Sequence, residues 1–242
     1  MSDGGSTLVI TAHAGEFVWH AGGAIALAAS RGEKVTVACL TVGEHGESGR
    51  AWREGKSLEA IKQLRNDEAR RAADVLGVDL RFYSAEDYPL IPTRELLDEL
   101  VRLYREIAPT AVLTHPLNDP YNVDHPAAAR VALDARVLAQ AAGYPAEGKA
   151  LGAPPVFFFE PQQPEMCGFQ PQVLLDITEV YHLKRKAMEA LPAKHQWEYY
   201  SELAQRRGVQ LRRNAGRNLT LPATVYAEAY MRHFPQVATV LA

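Results

Sequence analysis

The sequence predicts an α/β fold in which helices cover both faces of a mostly parallel sheet. Short apolar runs of strand character alternate with longer amphipathic segments of helical period along the first two-thirds of the 242-residue chain. Polar loops follow several of the apolar runs. Parallel sheets collect ligand-binding groups in such loops, because the loops leave the carboxyl ends of neighbouring strands. The pattern therefore predicts a site at that edge of the sheet.

The residue pattern predicts the first strands and helices, taken in chain order. Residues 7–11 form a β-rich apolar run, and residues 17–30 follow with helical period and small side chains that suit close packing on a sheet. Residues 35–41 form a second apolar run. The long amphipathic segment 57–76 ends at Gly77, a residue that helices favour at their C-terminal cap.

The later elements continue this alternation and then change character. We predict strands at 80–83 and 111–114, and helices at 93–107 and 126–142. The segment Ala153-Pro154-Pro155 breaks the pattern, and beyond it we predict strands at 156–159 and 173–177 and helices at 179–191 and 196–207. We interpret residues 153–242, approximately, as a cap on a Rossmann-like sheet within one domain.

Composition excludes several classes of protein. The hydrophobic fraction of 47% and the charged fraction of 23% are ordinary for a globular enzyme. A net charge of −3 argues against a nucleic-acid partner, which requires a basic face. No apolar run is long enough to span a membrane, and the first residues lack the basic and apolar segments of a signal peptide, so we expect a cytoplasmic protein. Two cysteines cannot form a disulfide framework.

Two motifs each place a histidine near a carboxylate directly after a strand-like run. The first contains His13 and Glu16, and the second contains Asp124 and His125. Either motif alone is better explained by helix capping or a structural hydrogen bond. Together, at the ends of parallel strands, they favour one divalent metal bound by His13, Glu16 and His125. Asp124 or Asp119 would then orient a histidine ligand.

These motifs resemble those of the PIG-L or LmbE-like zinc proteins. The resemblance lies in Ala12-His13-x-x-Glu16, Gly22-Gly23, Gly43-Glu44-x-Gly46-Glu47 and Asp124-His125. Most members of that family are N-acetylglucosaminyl deacetylases, and their first motif is Ala-His-Pro-Asp-Asp-Glu, with the first aspartate as general base. Here Gly15 stands at the position of the base, Glu16 replaces the metal-binding aspartate and Phe17 replaces the glutamate. Glycine cannot accept a proton, so the usual deacetylation route lacks its base.

Longer motifs resemble one branch of that family, the 4-oxalomesaconate hydratases of gallate and protocatechuate 4,5-cleavage. They are His13-x-x-x-Phe17-Val18-Trp19, Asp119-Pro120-Tyr121-Asn122-x-Asp124-His125-Pro126, Phe159-Glu160-Pro161-x-Gln163-Pro164-Glu165 and Trp197-Glu198-Tyr199-Tyr200. The resemblance implies a zinc-dependent hydro-lyase, with another divalent metal as an alternative. It would add water to the conjugated double bond of 4-oxalomesaconate, or of its enol tautomer 4-carboxy-2-hydroxymuconate, to give 4-carboxy-4-hydroxy-2-oxoadipate. It also implies a small tricarboxylate substrate and a homo-oligomer.

Hydration requires proton transfer by groups outside the first motif. Glu47 is the first candidate for the general base, because it lies in a glycine-bounded loop that follows a predicted strand. Glu44 in the same loop is the alternative, with Asp124 and His195 as further candidates.

A tricarboxylate substrate also requires cations and hydrogen-bond donors. Arg50 and Arg53 follow the Glu47 loop, and Arg213 is a more distant candidate. Tyr121 and Asn122 lie beside the second histidine motif and can bind substrate oxygens there.

Three hypotheses about function follow. The first is a zinc-dependent hydratase, which Gly15 and the apolar segment beginning at Phe17 favour. The second is a zinc-dependent deacetylase of N-acetylglucosamine conjugates that uses Glu47 or Asp124 as its base. The third is a non-catalytic metal-binding homologue that has lost activity together with the usual base.

Overall fold

The computed structural model describes residues 4–215 and 224–237 as an α/β structure built on one sheet. Its strands are β1 (Ser6–Thr11), β2 (Lys34–Cys39), β3 (Asp79–Phe82), β4 (Ala111–Thr114), β5 (Val156–Phe159), β6 (Val173–Asp176) and β7 (Ala227–Arg232). Its helices are α1 (Glu16–Ser30), α2 (Gly49–Arg53), α3 (Leu58–Leu76), α4 (Arg94–Ile107), α5 (Asp124–Gln140), α6 (Tyr181–Glu189) and α7 (Trp197–Ala215).

The strand order places β1 and β4 side by side at the centre of the sheet. The order is β3-β2-β1-β4-β5-β7-β6. Strands β1 to β5 are parallel, whereas β7 runs antiparallel to both β5 and β6. The chain leaves β1 toward one side of the sheet and β4 toward the other, which opens a crevice at their carboxyl ends. The predicted mostly parallel sheet is confirmed.

Helices cover both faces of the sheet, as predicted. Val9 of β1 packs with α1, α3 and α6 on one face, whereas Leu8 and Ile10 pack with α4 and α5 on the other. All three side chains are fully buried. Burial on both faces explains why β1 is a continuous apolar run, since neither face meets water. None of the helices in the described residues is long and apolar enough to cross a membrane.

The region interpreted as a cap contributes three strands to the sheet, together with helices α6 and α7. Strand β7 was not predicted, because its sequence Ala-Glu-Ala-Tyr-Met-Arg lacks a β-branched apolar run. Its buried Glu228 is neutralised by Lys184 of α6 and accepts the backbone N–H groups of Gly23 and Ala24 in α1. Strand β7 is therefore held by tertiary contacts. Residues 216–223 and 238–242 of the predicted cap lie outside the described residues.

Candidate metal centre and active site

The two histidine motifs meet at the carboxyl ends of β1 and β4. His13 lies in the loop after β1, and Glu16 is the first residue of α1. Asp124 and His125 form the start of α5, whose preceding loop leaves β4. Because β1 and β4 are neighbours in the sheet, residues that are more than a hundred positions apart come into contact.

Three potential metal ligands converge on one point. Oxygen Oε1 of Glu16 lies 2.8 Å from Nδ1 of His13 and 2.6 Å from Nε2 of His125. One donor atom from each of the three residues lies within 4.8 Å of the other two. His13 and Glu16 are buried, and His125 is nearly so. Two imidazoles and one carboxylate form a donor set of the kind that holds catalytic divalent metals while leaving a position open.

The remaining nitrogen of each histidine faces a second carboxylate. His13 Nε2 lies 2.9 Å from Oδ2 of Asp124, and His125 Nδ1 lies 2.8 Å from Oδ2 of Asp119. Asp124 also accepts the backbone N–H groups of Tyr88 and Leu90, at 2.9 and 2.8 Å. Histidines that bind metals commonly have such a partner, which fixes the ring and its tautomer. The residues therefore fit a divalent metal, and Asp124 contacts the His13 ring as such a partner would.

The electrostatics of the cluster require positive charge. Burial opposes protonation of His13, but Glu16 and Asp124 outweigh it and raise the pKa of His13 to about 9. Burial likewise opposes ionisation of Glu16, yet His13 and His125 hold the pKa of this carboxyl well below its usual value. The buried carboxylates thus favour a cation among them. A proton supplies that charge in the metal-free protein, and a metal ion would replace it.

His115 is a third histidine at Glu16 that was not predicted from the sequence. Its Nε2 lies 3.0 Å from Oε2 of Glu16, which also accepts the backbone N–H of His13 at 2.8 Å. The backbone N–H of Ala12 donates to the same ring nitrogen at 3.1 Å, and the ring stacks on His125 at 4.1 Å. Oxygen Oε2 of Glu16 thus accepts the backbone N–H of His13, while Oε1 faces the ring nitrogens of His13 and His125. The rule that predicted the other ligands applies here too, because His115 directly follows β4.

We expect His115→Phe to weaken metal binding without abolishing it. Phenylalanine keeps the stacking on His125 but removes the nitrogen that accepts the backbone N–H of Ala12, so the loop that carries His13 loses a hydrogen bond that fixes it. Loss of such orienting contacts typically costs about 10–100-fold in metal affinity. Competition with a chelator would measure this, with His182→Phe as control because His182 is exposed on α6. Equal zinc affinity in the wild type and the His115 variant would contradict the role.

Gly15 occupies the position where the deacetylase motif has its base. Its backbone φ is +100°, a conformation that side chains disfavour, and it caps the start of α1 without a side-chain hydrogen bond. A Cβ at this position would lie 3.3 Å from Leu191 and 3.5 Å from the indole nitrogen of Trp19. The space beside the Cα of Gly15 is therefore already occupied by neighbouring side chains.

A cavity of about 240 Å³ opens beside the metal cluster. It contains Glu47, Tyr121 and Asn122 among the predicted residues, together with Glu16 and His125 of the candidate ligand set. Its other lining residues are His20, Tyr88, Asp119, Gln162, Gln163, Lys194, Gln196 and Tyr200.

Glu47 enters this cavity from a firmly held loop between β2 and α2. Its side chain is only 8% exposed and forms an ion pair with Lys194. Asp87 accepts the backbone N–H groups of His45 and Gly46, at 2.9 and 2.7 Å. Ser48 Oγ donates to the carbonyl of Gly43 at 2.8 Å, across the same loop. Glu47 is therefore presented to the cavity by a loop that other residues anchor.

Glu44, the alternative base, is not among the residues that line the cavity. Its carboxylate lies 3.2 Å from Nζ of Lys62 in α3, and its carbonyl accepts the indole N–H of Trp52. These contacts tie the loop to α2 and α3. The geometry therefore favours Glu47 over Glu44 as the group that faces substrate.

Four other predicted residues are not brought to the cavity. Arg50 is exposed and pairs with Glu54 at 2.8 Å, because the short helix α2 turns it outward. Arg53 and Arg213 are also exposed, the latter near the end of α7. His195 is exposed and packs edge-on against Trp197. Lys194 and Gln196, the neighbours of His195 in the chain, line the cavity instead. Substrate binding or proton transfer by the four predicted residues therefore has no support in the geometry.

Tyr121 and Asn122 differ in exposure at the cavity. Tyr121 is 57% exposed, so its ring stands at the entrance. Asn122 is buried, and its Oδ1 accepts the backbone N–H of Asp124 at 3.0 Å. Asn122 therefore contributes to the start of α5 as well as to the cavity wall.

Two further polar residues of the cavity stay uncharged. His20 donates from Nδ1 to the carbonyl of Glu160 at 2.9 Å, and burial with the nearby His115 lowers the pKa of His20 to about 3. Burial also raises the pKa of the Tyr200 hydroxyl well above its usual value. A neutral imidazole nitrogen and a protonated hydroxyl are thus available to bind polar groups.

The chain is similar to proteins of one family along nearly its whole length. Residues 8–136 match the family model described as PIG-L: GlcNAc-PI de-N-acetylase. A 4-oxalmesaconate hydratase of Pseudomonas putida is 46% identical over 98% of this chain and 92% of that protein. The crystal structure of GalB, the 4-carboxy-2-hydroxymuconate hydratase from Pseudomonas putida KT2440, superposes with a TM-score of 0.94 at 45% identity, covering 98% of this chain and 100% of that one.

A less similar protein shares the fold. The N,N'-diacetylchitobiose deacetylase from Pyrococcus horikoshii superposes with a TM-score of 0.77 over 95% of this chain and 84% of that one. Its sequence identity is 21%, so the likeness concerns architecture alone.

Proposed function

The chain belongs to the PIG-L family, and from this premise we propose that it is a metal-dependent hydratase. The substrate would be 4-oxalomesaconate or its enol tautomer 4-carboxy-2-hydroxymuconate, and the product 4-carboxy-4-hydroxy-2-oxoadipate. The observation that carries the proposal is that a cluster of two histidines and one carboxylate shares one small cavity with Glu47. The position of the deacetylase base is occupied by Gly15, which cannot accept a proton. The 46% identity to a 4-oxalmesaconate hydratase supports the same conclusion.

Different groups in the cavity would perform the different steps of hydration. A divalent ion held by His13, Glu16 and His125 would lower the pKa of water or stabilise negative charge on the conjugated oxygen. Glu47 accepts the proton of the attacking water, and the new C–O bond forms at the substituted end of the double bond. The electron pair of the double bond moves to its other carbon, where the conjugated carbonyl or carboxylate group stabilises the charge, and a proton is then returned to that carbon. The hydroxyl of Tyr200 and the amides of Gln162 and Gln163 offer hydrogen bonds to substrate oxygens.

Zinc is the metal we propose, because imidazole and carboxylate ligands suit it. The same donor set also suits other divalent ions such as iron(II). A cytoplasmic location and a homo-oligomer stay predictions from the sequence.

One assay separates the candidate functions. Zinc-reconstituted protein is mixed with 4-oxalomesaconate and the loss of conjugated absorbance is followed, beside an N-acetylglucosamine conjugate assayed for acetate. We expect the conjugated absorbance to disappear and no acetate to form. Release of acetate with the conjugated acid untouched would establish a deacetylase, and inactivity toward both compounds would support a non-catalytic homologue.

Restoring the missing aspartate is expected to harm the enzyme. In Gly15→Asp the new side chain meets Leu191 in a left-handed backbone conformation and adds a second anion beside Glu16. A displacement of catalytic groups by about 1 Å can cost on the order of 100-fold in rate, and we expect a loss of hydration of that size without any gain of deacetylation.

Gly32→Asp is the matched control for this substitution. Gly32 also has a positive φ, of +77°, but nothing lies within 4 Å of a Cβ built there. It therefore reproduces the backbone strain without the crowding or the added charge at the site. Faster hydration by Gly15→Asp than by the wild type would show that the base has been misassigned.

A further inference from the structure

The cavity contains a single strong cation in the part of the chain that the structure describes. Lys194 is the one lysine or arginine among its lining residues, and the arginines predicted for substrate binding lie elsewhere. The proposed substrate carries three carboxylates. Moving a carboxylate from water into a mostly enclosed site is costly unless a cation or several donors meet it. The position of Lys194 therefore has a direct bearing on which substrates the cavity accepts.

Lys194 reaches the cavity from the segment that joins α6 to α7. Its ammonium group contacts Oε2 of Glu47, and the two side chains are 23% and 8% exposed. The two residues come from opposite parts of the chain, since Glu47 follows β2. Without substrate, the strongest cation of the cavity is thus paired with the side chain that we propose as the general base.

The backbone beside Lys194 is fixed to the loop that carries the metal ligands. The N–H of Ala193 donates to Oε1 of Glu68 at 2.9 Å. Buried Arg65 donates from Nη1 to the other oxygen of Glu68 at 2.7 Å, and from Nη2 to the carbonyl of Ala14 at 2.6 Å. Ala14 adjoins His13. This chain of contacts sets the distance between the base of the Lys194 side chain and the metal cluster.

The side chain of Lys194 is suited to an exchange of anions. A lysine ammonium is a compact charge on a flexible stem and has three donors, so it can turn from one carboxylate to another. Burial lowers the pKa of Lys194, while Glu16 opposes this effect. A substrate carboxylate that enters the cavity would neutralise the positive charge of Lys194, as Glu47 does without substrate.

We propose that Lys194 binds a carboxylate of the substrate and that Glu47 releases Lys194 when substrate enters. The inference rests on the proposed function and assigns a substrate-binding residue to it. Glu47, once released from its ammonium partner, is the stronger proton acceptor. The exchange links occupancy of the cavity to activation of the base. The neutral amides of Gln162, Gln163 and Gln196 cannot replace the charge, although they add hydrogen bonds.

The test compares Lys194→Met, Lys194→Arg and the control Lys186→Met in zinc-reconstituted protein. Lys186 is an exposed residue of α6, eight positions away from Lys194 along the chain. Michaelis parameters are measured with 4-oxalomesaconate, and binding of the unreactive tricarboxylate tricarballylate is measured by calorimetry. Zinc content and thermal unfolding of each variant show whether its structure is intact, and Lys194→Gln serves if the methionine variant does not fold.

We expect Lys194→Met to raise KM and to weaken tricarballylate binding by about 10–100-fold, the range for a lost charge-assisted hydrogen bond. We expect kcat to change less, because Glu47 is already free in that variant. Lys194→Arg should recover part of the affinity, and Lys186→Met should match the wild type. A KM and a tricarballylate affinity within about threefold of wild type in Lys194→Met, or a loss confined to kcat, would overturn the proposal.

Failure of the proposed function gives a different result. Wild-type protein would then leave 4-oxalomesaconate unchanged, while tricarballylate binding would still report on Lys194. If tricarballylate binds to the wild type and not to Lys194→Met, the cation site stands and the reaction must be reassigned. If it binds to neither protein and no reaction occurs, both proposals fail.

Discussion

Glu47→Gln is expected to lose nearly all hydration activity while it keeps its metal and its fold. Glutamine has the shape of glutamate but cannot accept a proton from water. A positioned general base typically contributes about 10²–10⁴-fold to rate, so we expect kcat to fall by that factor. Substrate affinity should change far less, because Lys194 would be relieved of its anionic partner in this variant.

The structure explains why this substitution should remain local. The loop is held by Asp87 and Ser48 through its backbone, and neither contact involves the carboxylate of Glu47. Glu54→Gln is the control, since Glu54 is a partly exposed loop carboxylate that pairs with Arg50. Stopped-flow or steady-state absorbance at saturating 4-oxalomesaconate would measure kcat, and elemental analysis would measure zinc. If Glu47→Gln keeps more than about a tenth of the wild-type kcat, Glu44 or Asp124 must be tested as the base.

The convergence of the three candidate metal ligands could be predicted from the sequence because it depends on topology alone. His13 and Glu16 follow β1, His125 follows β4, and adjacent parallel strands bring such loops together whatever the details of packing. The same argument places Glu47 near them, since β2 is the other neighbour of β1. The strand-end rule does not depend on knowing the angle of any helix, and this is why these residues converge as expected.

The cation of the cavity could not be predicted in this way. Arg50 and Arg53 are close to Glu47 in sequence, but the short helix α2 directs them to solvent. Lys194 is far from Glu47 in sequence and meets it because Ala193 docks on Glu68, a contact between a loop and α3 that no local pattern encodes. Lys194 and His195 lie in the same loop, and the sequence does not indicate which of the two side chains faces the cavity. His195 has a φ of +42°, and the backbone turns there.

Strand β7 illustrates the corresponding limit for the fold. Most predicted elements coincide with observed ones to within a few residues, because apolar period and capping residues such as Ser57 and Thr93 mark them. Strand β7 has a buried glutamate near its start and is stabilised by a lysine from α6 and by N–H groups from α1. Partners so distant along the chain are visible only in three dimensions.

His125→Ala is expected to remove the metal and, with it, essentially all activity. The variant deletes one of three ligands and leaves the carboxylates of Glu16 and Asp119 without the imidazole between them. Two remaining ligands do not form a catalytic metal site of the usual kind, which has three protein ligands. We therefore expect less than one-tenth of the wild-type zinc content after dialysis and a fall in activity of at least about 10³-fold.

Asp119→Asn provides the graded comparison for this prediction. Asparagine keeps the shape of aspartate but contacts Nδ1 of His125 without a negative charge, so we expect zinc affinity to fall only about 10–100-fold and activity to recover at high zinc. His125→Ala should not recover at any zinc concentration, because its ligand is absent rather than misoriented. Chelator competition and zinc titration of activity distinguish the two variants. Full activity of His125→Ala without bound metal would mean that hydration proceeds without the cluster at β1 and β4.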